Sequence, residues 1–572
     1  MSRRQRMTRR LWKTFYLLAC FALVASRVEL ATAGSILGDE WEKFFKENVS
    51  IGGFVENATG LAVGNDGKHF DTSNRFVMNR FTIQPEINVN MTDWAKFFIS
   101  WRFVKEPRYN AEAKSREKSV SYFPAAPVKP LPNTFYDEYS PKPWEAVLDL
   151  SPTDNLKVRL GRQFISWGET DGIRLIDLIN PQDLRFSPPA APNLFNLDET
   201  RIPTVGLRTL YTIRPISNTI FEFFAMPGFF DDTEQRVDDI VGSNDTGDRK
   251  VRYGLWSAHP ETRLLIAGKN AFGNLFANPL NPGGCIGVGC LVIPSTRREL
   301  PNAGDSWKIG TQITHSIGKL NFGLGYIWGF NPQSTDMVFK LTNVRCSAPV
   351  PGPCLAGRAP SVADLTLLNS RTSIFAGHFN YPLGDFLNIP VNTTVRGEVA
   401  FFPDKPYNIS KFPGAYGLRA SADPNHPDGI VEKHTLRYAL GFDRTTLIPF
   451  LHPDDPWRAF NLSFQIFQSI IFDHEDGIHP FSTAEKIQRV STTLTFRIGT
   501  GYVGDTIQPD VFIGYDPEGY WTANPAISYV PPGNERIKLS LVGAFYGGRN
   551  KFKSFGFFEE KDSVFLKMRY QF

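Results

Sequence analysis

The densest run of chemically capable side chains lies between Gly161 and Arg185, which reads G-R-Q-F-I-S-W-G-E-T-D-G-I-R-L-I-D-L-I-N-P-Q-D-L-R. Glu169, Asp171, Asp177 and Asp183 interleave there with Arg162 and Arg174, beside Trp167, Asn180 and the chain-bending Gly168 and Pro181. Carboxylates and guanidiniums at such spacing make charge-assisted hydrogen bonds, which tie a loop to its surroundings or line a passage. Catalysis needs a nucleophile with its base, or a metal with its ligands, and neither is on view. The sequence has no G-x-S-x-G elbow, H-E-x-x-H helix or P-loop. Gly323, Gly325 and Gly329 have the wrong spacing for a dinucleotide. His378 and His434 sit on or beside strand-like sequence, where lone histidines are wall residues. The expectation is a protein that is not an enzyme, with no catalytic residue, cofactor or metal.

The elements that must position this run are strands. Phe81, Ile83, Ile87, Val89 and Met91 alternate with Thr82, Gln84, Glu86, Asn88 and Asn90. A period of two gives one apolar and one polar face. The same pattern recurs over 97–103, 146–150, 156–160, 307–314, 320–328, 393–401, 436–442, 460–466, 490–498, 507–515, 521–529, 537–545 and 564–572. Weaker copies cover 51–61, 205–211, 219–225 and 371–381. The pattern predicts an all-β fold: a transmembrane antiparallel β-barrel of about eighteen strands, with sixteen as the alternative. Short turns near 93, 153, 317 and 532 take turns with long segments, the expected split between periplasmic turns and extracellular or inward-folded loops. A soluble two-sheet fold does not predict that asymmetry.

Both ends agree. Arg3, Arg4, Arg6, Arg9, Arg10 and Lys13 precede an apolar stretch from Phe15 to Ala25 and a small-residue site at Ala31-Thr32-Ala33, which reads as a signal peptide over 1–33. Residues 34–49 form a periplasmic N-terminal segment, and 50–572 the barrel with its loop plug or constriction. The last nine residues, V-F-L-K-M-R-Y-Q-F, alternate up to Phe572. With Met568 and Tyr570, Phe572 resembles the terminal strand of Gram-negative outer-membrane barrels, which implies the barrel-assembly machinery as a partner.

Net charge is +4, but the leader holds seven of the 62 basic and one of the 58 acidic residues, so its removal leaves −2 and no case for nucleic acid. Cys285 and Cys290, and Cys346 and Cys354, fall as two close pairs in Gly/Pro-rich loops, where an oxidising compartment predicts local disulfides. A metal site is the rival, but no His or acid lies within either pair.

If apolar positions face lipid, the lumen receives Arg102, Lys157, Arg159, Arg208, Lys308, Arg396, Arg437, Arg497, Lys538, Lys567 and Arg569. Glu86, Glu145, Asp149, Glu222, Glu398, Asp443 and Asp510 join them. An excess of bases fits anionic solutes; a salt-bridge network that only satisfies the wall fits equally. The Gly161–Arg185 run starts as a strand and breaks at Gly168. Ile173, Ile176 and Ile179 then predict a short helix from Asp171 to Asn180-Pro181. On the long-loop side this segment turns inward as a constriction or plug, or serves as a structural anchor for the loop.

The G-R-Q…W-G-E…I-N-P block resembles a family of Gram-negative outer-membrane proteins catalogued as a domain of unknown function (DUF1302). The resemblance implies substrate passage in partnership with an efflux-type or lipid-handling inner-membrane transporter. The reading is an outer-membrane channel passing a small hydrophobic or anionic solute, narrowed by an inward loop over about 168–202. The alternative is a plugged surface receptor or export partner; an outer-membrane hydrolase ranks below both.

Overall fold

The computed structural model describes residues 39–63, 76–105, 138–139, 143–180, 201–214, 216, 218–227, 296–299, 307–330, 338–346, 360–368, 370–386, 389–390, 392–409, 426, 429–479, 486–549 and 562–572. The leader, Pro181, Asp183, Cys285, Cys290 and Cys354 lie outside them. Cys346 ends the strand Val338–Cys346, part of a small three-stranded sheet with Thr296–Glu299 and Pro360–Leu368.

A helix, α1 (Asp39–Asn48), leads into the first strand, β1 (Val49–Ala62). Next come β2 (Phe76–Thr92), β3 (Ala95–Ser100), β4 (Glu145–Thr153), β5 (Leu156–Gln163) and β6 (Thr204–Thr212). The wall continues with β7 (Thr219–Met226), β8 (Lys308–Ile317), β9 (Leu320–Phe330), β10 (Arg371–Pro382), β11 (Thr393–Ile409) and β12 (Ile430–Leu447). It ends with β13 (Ala459–Ile471), β14 (Val490–Gly499), β15 (Ile507–Asp516), β16 (Tyr520–Tyr529), β17 (Ile537–Gly548) and β18 (Ser563–Gln571).

Each strand pairs antiparallel with the next, from β1–β2 through β17–β18. β18 then pairs with β1, from Phe54↔Gln571 to Ala62↔Ser563, and closes an 18-strand barrel. Closure leaves no strand edge, the condition for a sheet to cross hydrocarbon. Phe572 takes part in the seam: its N–H donates to the Gly53 carbonyl at 3.0 Å. The strands predicted from the two-residue period, weak ones included, all take their place in the wall, and the larger count of eighteen holds.

The outward face explains the solvent. Ile313, Leu324, Phe375, Ile513, Leu541, Leu566 and Met568 stand exposed on alternate positions of neighbouring strands. A water-soluble protein does not display so continuous an apolar band, whereas a bilayer requires it. Between them on β18, Phe565 and Lys567 turn inward and are buried. Among the described residues no helix is long and apolar enough to cross a membrane.

Connections at the end that carries both termini are short at 93–94, 154–155 and 318–319. Those at the far end join Ser100 to Glu145, Gln163 to Thr204 and Met226 to Lys308. Gly161, at the start of the motif, needs its glycine. Its φ is +121°, and a Cβ there would lie 2.1 Å from the Ala146 carbonyl oxygen on β4.

Candidate functional site

The segment that follows β5 leaves the wall and packs inside the barrel. Ile165, Trp167, Leu175, Ile176, Leu178 and Ile179 are buried in one cluster with Phe224 and Met226 of β7, Ile327 of β9 and Ile374 and Ala376 of β10. The cluster also includes Ala400 and Phe402 of β11, Ala439 of β12 and Phe467 of β13. Trp167 meets Phe224 edge-on, with ring centroids 5.3 Å apart. Apolar burial on this scale drives docking, and the polar groups carried inward with it must find partners.

They do. Asn180, fully buried, accepts from the Ile165 N–H at 2.8 Å and donates to the carbonyls of Gln163 and Ile202 and to the Thr204 hydroxyl. The Trp167 indole donates to Glu222 at 3.0 Å, and Arg208 grips the same carboxylate with two bonds of 2.7 and 3.1 Å. Lys308 donates to the Ile179 carbonyl at 2.6 Å. Asp177 pairs with Arg201 at 2.6 Å and Arg174 at 3.3 Å, and Arg174 also donates to the Asn180 carbonyl.

The predicted helix is not formed: no helix covers 171–180. The Ile176 amide bonds outward instead of to its own preceding turn, as do amides just before it. Glu398 of β11 accepts from the N–H groups of Glu169, of Thr170 at 2.6 Å and of Ile176 at 3.3 Å, while Gln465 of β13 accepts from Asp171 at 3.1 Å. A helix would have taken the Ile176 amide for itself. The three-residue apolar spacing marks the docked side of an irregular strap. Gly168 makes the approach possible: its φ is +109°, and a Cβ there would stand 2.4 Å from Glu398 Oε1.

At the edge of the strap nearest the termini, Arg396 of β11 gathers several partners. It donates to the Glu169 carbonyl, to Asp171 Oδ2 at 2.5 Å, to Asp443 Oδ1 of β12 at 3.1 Å and to the Ser463 hydroxyl of β13 at 3.3 Å, and its Nε stands 2.7 Å from Asp443 Oδ2 as an ion pair. Behind Glu169 stands His378, whose Nδ1 lies 3.4 Å from the carboxylate and whose Nε2 meets Gln312 at 2.8 Å. Below Arg396 opens a cavity of about 1100 Å³. Its cations are Arg396, Arg444, Arg458, Arg497, Lys538, Lys567 and Arg569; its carboxylates are Asp171, Asp443, Asp505 and Asp510. Among the described residues no cluster of metal-ligating side chains is present.

The lumen charges thus fall into two groups. Arg396, Lys567 and Arg569 border the cavity, although Lys567 also pairs with Glu56 at 3.0 Å and Arg569 lies over the Phe54 ring. Arg159 with Asp149, at 2.6 Å, and Arg208 with Glu222 form the wall network that the sequence left as an alternative. Arg437 lies over Phe402, and Arg102 and Arg162 over Trp144. Lys157 is exposed on the face of β5 that carries Arg159. Met568 is half exposed on the outward face. Sequence reasoning missed Gln465, Phe224, Phe402 and Phe467. It also missed Arg444 near the end of β12 and Arg458 and Asp505 in the turns, which no alternation marks.

Residues 18–238 match the family model described as "Protein of unknown function (DUF1302)". That stretch contains the whole Gly161–Arg185 block, so the family resemblance read from those residues is borne out. No curated protein matches the chain. Among solved structures, Pseudomonas aeruginosa OpdL is similar at 9% identity and a TM-score of 0.39, over 92% of this chain and 98% of its own. P. aeruginosa OccK2 (OpdF), solved with glucuronate, gives 8% and 0.41 over 92% and 98%. P. aeruginosa OpdK, solved with vanillate, gives 10% and 0.39 over 92% and 99%.

Proposed function

We propose that the protein is an outer-membrane channel in which the strap over residues 165–180 narrows the lumen and small anionic solutes pass. The observation that carries this reading is the cavity beneath the strap, where seven cations face four carboxylates in a space of about 1100 Å³. That volume is of the order of small-molecule sites. Inside a wall whose other face meets lipid, such a polar space offers a route to solute and none to the bilayer. The end bearing the termini is the periplasmic one in this reading, and residues 1–33 are the leader that delivers the chain. Residues 34–49 lie in the periplasm, and Met568, Tyr570 and Phe572 serve the barrel-assembly machinery.

Depth of docking favours one rival, a plugged receptor or export partner of an inner-membrane transporter, because the strap is held by an apolar cluster from six strands. Planar-bilayer recording separates the two. The channel predicts measurable conductance of the folded barrel, and removal of Thr170–Arg185 raises it, as a widened polar pore should. A folded, heat-modifiable barrel that conducts nothing and passes no solute would sink the channel. Unchanged conductance after the deletion would remove the strap from its role.

A further inference from the structure

The geometry points to Arg396 as the residue that takes the solute's carboxylate, with the Asp171 carboxylate as a built-in stand-in that the solute displaces. This deepens the channel reading and rests on it. Arg396 is mostly buried, with a side-chain exposure of 12%, yet it borders the cavity. Two carboxylates share its guanidinium, and they are held differently. Asp443 belongs to the wall, accepts from Nη2 at 3.1 Å and lies 2.7 Å from Nε as an ion pair. Asp171 belongs to the strap, receives Nη2 alone, and its side chain is 51% exposed on the cavity side.

The backbone around Asp171 is fixed independently of that ion pair. Its own N–H is bound by Gln465, and the two preceding N–H groups by Glu398. Displacement therefore asks only a rotation of one short side chain, with the strap left docked. An incoming carboxylate would offer the same planar pair of oxygens to the same guanidinium, so one charge-assisted contact replaces another. A half-exposed aspartate regains water when it leaves, which keeps the exchange close to balance. A neutral solute has nothing to offer Arg396 and meets the pair closed.

The test is uptake into proteoliposomes of benzoate as the anionic probe, normalised to arabinose uptake by the same variant, with folding checked by heat-modifiable mobility. The wild type should saturate with benzoate. Asp171→Asn should lower the half-saturating benzoate concentration roughly twofold to fivefold, the range for losing a competing exposed ion pair. Arg396→Gln should abolish saturation and bring the benzoate-to-arabinose ratio close to that of an unselective pore. Arg396→Lys, which keeps the charge but loses the fork, should show intermediate behaviour. In the double variant Asp171→Asn/Arg396→Gln, the aspartate change should have no further effect. An unchanged half-saturation in Asp171→Asn, or saturation retained in Arg396→Gln, would overturn the proposal while leaving a channel. Absence of both benzoate and arabinose uptake by the folded wild type would instead remove the channel reading on which it rests.

Discussion

Two regions of the lumen meet on the same strands, and they differ only in depth. From the end bearing the termini, the inward positions of β11 are Thr394, Arg396, Glu398, Ala400 and Phe402. The first two border the cavity, Glu398 binds the strap's amides, and the last two lie in the apolar cluster. On β13 the order repeats: Asn461 and Ser463 at the cavity, Gln465 on the Asp171 amide, Phe467 in the cluster. The outward face does not change along this path, because lipid is uniform through the hydrocarbon layer. A barrel wall therefore carries two codes: a period of two that sets the side, and a slower change along every second residue that sets depth.

The largest effect should come from setting the two regions against each other. Phe402→Ala removes a fully buried ring from the docked region and should lower unfolding stability by about 3–5 kcal/mol. Asn461→Ala, on the exposed cavity wall, should stay within about 0.5 kcal/mol. Urea titrations of the folded barrels read both. Equal costs would mean that the apolar cluster is not what holds the strap.

The next effect tests the strap's polar pins. Asn180→Ala leaves the Ile165 N–H and the Gln163 and Ile202 carbonyls without their partner in a buried place. A loss of about 1–3 kcal/mol is expected for orphaned buried groups. The same titration checks it. A neutral outcome for alanine would show that burial alone positions the segment.

These variants also show how much could be read beforehand. The wall was legible because alternation needs only a lipid face and a wet face, and even weak strands such as Thr219–Met226 obeyed it. The conformation of the strap was not legible. Ile173, Ile176 and Ile179 have helical spacing, yet the Ile176 amide that the helix would need is taken by Glu398, more than two hundred residues away. A local pattern has no access to such partners. One signal was available and unused. Phe223-Phe224, Ile374-Phe375 and Phe401-Phe402 are apolar on both faces, and in a barrel that pays only where something apolar docks inside.

The smallest effect lies above the docked region, where the chain after β13 crosses back and Ile478–His479 pairs with Asn408–Ile409 on the edge of β11. Glu475 there pairs with Lys433 at 2.6 Å and with His426 at 2.8 Å. The Lys433 hydrogen bond, and His426 after it, hold the Glu475 carboxyl below its ordinary value against the opposing effect of burial. A depressed folded pKa means the pair adds stability above the ordinary carboxylate range and loses it as pH falls through the lowered value. Glu475 is also substantially exposed, so solvent screens the pair and the effect is small. The expected outcome is a melting temperature slightly higher for the wild type than for Glu475→Gln near neutral pH. That gap should close only once pH drops below the usual glutamate range. A gap of constant size down to acid pH would assign the difference to packing of the crossing chain, and would leave the cavity's cations as the part of the lumen where charge decides behaviour.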